Sequence, residues 1–160
     1  MTNIIYSIEK KLFKKLKTLA DTHFSNNEID FDDMRDMGNN FYSGGYQIDQ
    51  YVLSEITRLV NVYLSSHNLG EITSSSVNLI NSFGITHHTD QDKKSIMIVT
   101  GGRNYVFAYH QNRAKRHEMA TSHTVEIGET VFFRSDEYHS LYAYRPVKKP
   151  LECILICLDK

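Results

Sequence analysis

Apolar positions near the start of the chain recur every three or four residues. Ile5, Ile8, Leu12, Leu16 and Leu19 form one stripe and lysines fill the other faces, so the spacing predicts an amphipathic helix over residues 4–22. Its lysine-rich side reads as the solvated face of a core-packed helix. Residues 25–46 are polar and rich in Asn, Asp and Gly, and NNFYSGGYQ carries turn signals; this stretch predicts a long loop or two short turns. The helical period returns over 48–66, where Ile48, Val52, Ile56, Leu59, Val60 and Tyr63 mark an inner face, and HNLGE supplies a stop at Gly70. From residue 72 the pattern changes. SSVNLINSFG, SIMIVTGG, RNYVFAYHQ, SHTVEIG, ETVFFRS, HSLYAYR and LECILICL are short, rich in Val, Ile, Phe and Tyr, and divided by Gly, Ser, Asp or Pro. Two helices followed by seven or eight consecutive strands cannot build βαβ units. The β part is therefore antiparallel: a sandwich, jelly roll or barrel. Tyr105, Phe107 and Tyr109 alternate on one strand face and read as core. The basic stretch HQNRAKRHEMATSH (110–123) is the longest interruption between strands.

Composition narrows the class. The chain of 160 residues fits one domain, with 1–70 as helical support and 72–160 as the β core. Its residues are 41% hydrophobic and 23% charged, so a packed core is the expectation rather than disorder. A formal net charge of -1 gives no global pull toward nucleic acid or an anionic membrane. Arg113, Lys115 and Arg116 are too small a set to argue for a phosphate backbone, and His110, His117 and His123 beside them read as loop residues open to substrate contact. No apolar run reaches the roughly 18 residues of a membrane span, and the start lacks a signal-peptide core. Cys153 and Cys157 would lie about 13 Å apart on a strand, at roughly 3.3 Å per residue, too far for a disulfide. Buried thiols of this kind predict a reducing compartment, intracellular and cytoplasmic.

ITHHTDQD (85–92) carries the chemistry. Residues i and i+2 of an extended segment share a face, so His88 and Asp90 can bite one divalent ion together. His139, in GETVFFRSDEYHSL, follows after enough chain for four or five short strands to return beside the first pair. Two histidines and one carboxylate leave other positions of an ion open, a donor set suited to non-haem Fe(II). His87 is the weaker choice because the residue two beyond it is Thr89. His87-x-Thr89 also fits one half of a two-histidine phosphoesterase motif, but the second copy is poor.

Together these motifs resemble the Fe(II)- and 2-oxoglutarate-dependent oxygenases, in their prolyl-hydroxylase-like branch. His-x-Asp (88–90), the Gly-led strand and turn before His139 (128–141), RPVKKP (145–150) and TGGRNYVFAY (100–109) carry the resemblance, which spans roughly 77–158. It implies a double-stranded β-helix of jelly-roll or cupin-like form with two N-terminal supporting helices. It implies Fe(II) on His88, Asp90 and His139, with 2-oxoglutarate and dioxygen as partners. It also implies a basic residue about ten positions past the distal histidine that holds the far carboxylate of 2-oxoglutarate. Lys149, Lys148 and Arg145 are the alternatives, since neighbouring strand residues face opposite ways. Asn78 and Asn81 are candidates for co-substrate contact. The implied activity is hydroxylation of a C–H bond in a protein side chain, nucleobase or small metabolite. The competing readings are a cupin-like binding module and a metal-dependent cupin enzyme that does not use 2-oxoglutarate.

Overall fold

A computed structural model describes residues 4–38, 40–91, 94–109 and 121–158. Among them the order is β1 (Ile4–Ser7), α1 (Lys10–Asn26), α2 (Phe31–Met37), β2 (Phe41–Gly44), α3 (Gln50–Ser66), β3 (Val77–Ser82), β4 (Ile85–His88), β5 (Lys94–Gly101), β6 (Tyr105–Tyr109), β7 (Thr121–Val125), β8 (Glu129–Phe133), β9 (His139–Ala143) and β10 (Leu151–Leu158). A six-stranded sheet has the order β1-β8-β5-β10-β3-β2, and a four-stranded sheet the order β4-β9-β6-β7. Every pairing recorded in the two sheets is antiparallel. The chain is thus mainly β, and the eight strands from Val77 onward match the strand-rich half expected from the sequence.

The inner strands of the larger sheet, β8, β5, β10 and β3, are largely buried on both faces, and strand alternation sorts their side chains. Val77 and Leu79 of β3, Ile96 and Ile98 of β5, Phe132 of β8 and Ile154 and Ile156 of β10 join the stripes of α1 and α3 in one core. Ile80, Met97, Val99, Val131, Phe133, Leu151 and Cys153 face the other way and pack with Tyr105, Phe107, Tyr109 and Leu141 of the small sheet. The alternating Tyr105, Phe107 and Tyr109 are all buried, as core residues should be. Tyr105 donates to the Lys149 carbonyl at 2.8 Å, and burial pushes its phenol up to about 12.

Among the described residues three α-helices stand where two were expected. The stretch read as a loop over 25–46 holds α2, capped by the Asp30 carboxylate accepting from the Asp32 and Asp33 amides, and the edge strand β2, which pairs with β3. Asp and Asn are poor inside helices but strong at caps, so the polar composition that suggested a loop is here the start of a short helix. The first helix is also shorter than its stripe suggested. Residues 4–7 form β1 against β8, and α1 begins only after Glu9, whose carboxylate accepts from the Lys11 and Leu12 amides. Ile4 and Ile5 fit either period, and a strand partner distant in sequence decided between them. In α3 the start moves from 48 to 50 because Asp49 caps it, accepting from the Tyr51 and Val52 amides; Ile48 stays buried just ahead of that cap.

The basic stretch 110–123 lies outside the described residues up to 120; its last three residues open β7. His123 there is exposed and stacks on Tyr109 with ring centroids 6.0 Å apart. Cys153 is a buried free thiol, pushed up to about 12 by its burial. No helix among the described residues is long and apolar enough to cross a membrane.

Candidate metal centre

The chain crosses from the large sheet to the small one between β3 and β4, and the site begins at that corner. Gly84 (φ +148) lets the backbone pass so close to β9 that a Cβ there would sit 3.2 Å from the Leu141 carbonyl. Asn40, just before β2, braces the corner: its Oδ1 accepts from Ser82 Oγ at 2.7 Å and its Nδ2 donates to the Gly84 carbonyl at 3.3 Å. β4 then pairs with β9, and the pairing sets His88 directly opposite His139. Their ring centroids are 4.3 Å apart. Just beyond β4 the Asp90 amide donates to the Ser135 carbonyl at 2.7 Å, which fixes the carboxylate against the turn that leads into β9.

The result is a cluster of two imidazoles and one carboxylate. One ligand atom from each of His88, Asp90 and His139 lies within 4.8 Å of the other two. His88 Nε2 is 3.4 Å from Asp90 Oδ1, and His139 Nε2 is 3.2 Å from Asp90 Oδ2. Both rings are oriented in the same way. His88 Nδ1 donates to the Thr86 carbonyl at 2.7 Å and His139 Nδ1 to the Glu137 carbonyl at 2.8 Å. A carbonyl can only accept, so each Nδ1 carries a proton, and Nε2 is the atom each ring turns toward the cluster and would offer to a metal. His139 is buried, 6% exposed, behind Phe133 and Phe107 with ring centroids at 5.0 and 6.0 Å. His87 points elsewhere and stacks on Tyr138.

Charge follows from these contacts. The hydrogen bonds from His139 and His88 hold Asp90 well below the usual carboxylate range. The bond to Asp90 raises His88 above its ordinary 6.5, against the opposing effect of burial. Without a metal, the proton that Asp90 favours on His88 Nε2 occupies an atom that a metal would need. Metal affinity will therefore climb as pH rises through and past the ordinary histidine range and fall as His88 protonates. Titrating Mn(II) into the protein at about pH 6 and about pH 8 checks this, with proton release on binding at the lower pH.

A cavity of about 320 Å³ opens beside the cluster. His88, Asp90 and His139 contribute to one part of its lining. Ile80, Met97, Phe107, Phe133, Leu141, Leu151, Cys153 and Leu155 supply an apolar wall, with Tyr42, Asn78, Ser82, Gln91, Ser140 and Cys157 adding uncharged polar groups. Tyr42, half-exposed on the edge strand, was missed in the sequence because its segment reads as a loop; burial, with Asp90's charge as a smaller influence, raises its phenol. Of the two asparagines on β3, Asn78 lines the cavity and reaches Cys157 Sγ at 3.8 Å. Asn81 alternates to the opposite face, near Glu152 and α1.

The three candidate anchors are not brought to this cavity. Arg145, Lys148 and Lys149 are exposed in the connection between β9 and β10 and do not line it. Among the described residues, no lysine or arginine does. The reason is where β10 begins. Tyr105 holds the Lys149 carbonyl and Arg35 reaches the Val147 carbonyl at 3.4 Å, which ties the connection down outside the sheets. The strand starts at Leu151, so the position that faces inward is occupied by leucine.

No family model and no curated protein matches the chain. Solved structures do match. IDO from Bacillus thuringiensis superposes with a TM-score of 0.56 at 12% identity, covering 96% of this chain and 91% of that one. A prolyl-4-hydroxylase from Pseudomonas putida gives 0.53 at 12% identity, covering 99% and 92%. The Fe(II)/(alpha)ketoglutarate-dependent dioxygenase TqaL gives 0.52 at 11% identity, covering 96% and 81%. The chain thus shares its fold with these solved structures, a prolyl-4-hydroxylase and an Fe(II)/(alpha)ketoglutarate-dependent dioxygenase among them.

Proposed function

We propose that the chain is an Fe(II)-dependent oxygenase of the 2-oxo-acid-using class, a hydroxylase of C–H bonds, built on a double-stranded β-helix. The observation that carries this reading is the cluster itself: two Nε2 atoms and one carboxylate converging on one point at the edge of a mostly apolar cavity. The donor set fits a divalent ion with open positions, and non-haem Fe(II) in particular. Such an ion, when bound, supplies the activation of dioxygen and the electrons for C–H oxidation. The strand order supports the fold reading. Among the described residues, strands β3 to β10 divide four to each sheet, in the orders β3-β10-β5-β8 and β4-β9-β6-β7, and alternate between the sheets except at the β6–β7 pair.

The protein's own residues would act as follows. His88 and His139 present neutral Nε2 atoms because the Thr86 and Glu137 carbonyls hold their Nδ1 protons. Asp90 supplies the one negative charge, fixed by its amide bond to Ser135. Phe107 and Phe133 pack behind His139 and exclude water from that side. The cavity volume of about 320 Å³ lies near the lower end of the roughly 300–1,000 Å³ typical of ligand sites. 2-Oxoglutarate, the co-substrate the sequence resemblance implies, would meet the ion through its oxo-acid end. Its other carboxylate finds no cation on the cavity wall among the described residues, and there the fit fails.

Oxygen uptake is the test. With Fe(II) and a panel of 2-oxo acids, the protein is expected to consume dioxygen and release CO2 in equal amounts, from one bound ion per chain. Stoichiometric metal binding with no 2-oxo-acid-dependent uptake would make it a metal-holding cupin-like module instead.

A further inference from the structure

The charge balance of the cavity selects its co-substrate. A divalent ion on two neutral imidazoles and one carboxylate leaves a single net positive charge. A monoanionic chelator cancels it. A dianion leaves one negative charge over, inside a cavity where, among the described residues, Asp90 and the two histidines are joined only by apolar and uncharged polar side chains. Burying an unpaired carboxylate against such a wall is strongly unfavourable. Two of the positions that β10 turns to the cavity hold Leu151 and Cys153, which are 1% and 3% exposed. Met97 of β5 and Ile80 of β3 complete the same apolar wall.

We infer that the co-substrate is a monoanionic 2-oxo acid with an apolar tail, of the branched aliphatic kind, rather than 2-oxoglutarate. This rests on the oxygenase reading and names its co-substrate class. The tail takes the place of the outer carboxylate and packs on Leu151, Cys153, Met97 and Ile80. In the overall reaction R–CO–COO⁻ + O2 + R′–H gives R–COO⁻ + CO2 + R′–OH. The 2-oxo acid loses its carboxyl carbon as CO2 and gives up two electrons. The C–H substrate gives up two more, dioxygen takes all four, and its two atoms end in the new carboxylate and the new hydroxyl.

Binding, measured without turnover, decides the matter. The protein is loaded with Mn(II), and 4-methyl-2-oxopentanoate and 2-oxoglutarate are titrated separately by calorimetry. The branched acid is expected to bind at least about tenfold more tightly, the scale of one unfavourable charge interaction at a partly buried site. In Leu151→Lys the order should reverse. Since Leu151 is buried, Tyr42→Lys is measured too; Tyr42 lines the same cavity but is 50% exposed, so a lysine there leaves the core intact and should narrow the preference several-fold. Equal or tighter binding of 2-oxoglutarate by the unaltered protein, or an unchanged preference in both variants when folded, would overturn the inference while leaving the metal site standing. Failure of Mn(II) to bind at all would instead overturn the oxygenase reading beneath it.

Discussion

Asp90→Ala will reduce metal affinity by at least about 100-fold and abolish oxygen uptake, while the fold survives. Removing a hydrogen-bond partner of a metal ligand commonly costs 10–100-fold in affinity, and Asp90 is itself a ligand candidate and the only carboxylate in the cluster. Its loss also removes the charge that offsets a divalent ion between two neutral rings. The fold should tolerate it because the Asp90 side chain is 39% exposed and its link to Ser135 is made by the backbone. Unfolding free energy should stay within roughly 1 kcal/mol of the parent. Mn(II) titration and urea unfolding of the same preparation separate the two effects. Undiminished Mn(II) binding by the folded variant would remove Asp90 from the site. His139→Ala is a less clean test, since that ring is buried among Phe107 and Phe133 and its removal leaves a hole.

Ile154→Ala will be among the most destabilising single changes, at about 2–5 kcal/mol. Ile154 has no exposed surface. It stands on β10, between β3 and β5 at the middle of the large sheet, and faces the helices in the same core as Leu16, Ile56 and Val60. Nothing around it can collapse easily: β-sheet backbone holds it from both sides and two helices lie above. For a chain of this length the loss corresponds to a fall in Tm of roughly 4–20 °C. Thermal unfolding by circular dichroism reads it directly, and a drop under about 2 °C would mean that the helices do not seal this face. Its neighbours Cys153 and Leu155 point into the cavity instead, so the change should leave metal affinity of the folded protein nearly unaltered.

Much of this molecule was readable from local pattern. The stripe of Val52, Ile56, Leu59, Val60 and Tyr63 is a property of one helix and needs no partner to be seen; all five are buried. The alternating, β-branched segments after residue 72 announce strands for the same reason. His88 and Asp90 could be paired on paper because an i, i+2 spacing puts both on one face of any extended segment. His139 stood out by its strand context and by the length of chain that separates it from the first pair, and strand pairing between β4 and β9 brings it beside His88.

What the residues could not disclose depends on contacts between distant segments. Ile4–Ser7 is a strand because β8 offers it hydrogen bonds, not because its own sequence disfavours a helix. Met34 of α2 and Tyr42 of β2 sit in a stretch whose polar residues are caps and edge positions, indistinguishable in sequence from a loop. The largest divergence concerns Arg145, Lys148 and Lys149. The resemblance implies a cation about ten positions past His139, but among the described residues β10 begins only at Leu151, and the side chains it turns to the cavity are Leu151, Cys153, Leu155 and Cys157. Sequence determines which residues are able to bind a metal or line a core, since those are properties of side chains and short spacings. The direction each one faces, and hence the charge of the cavity, belongs to strand register, which is settled by long-range pairing.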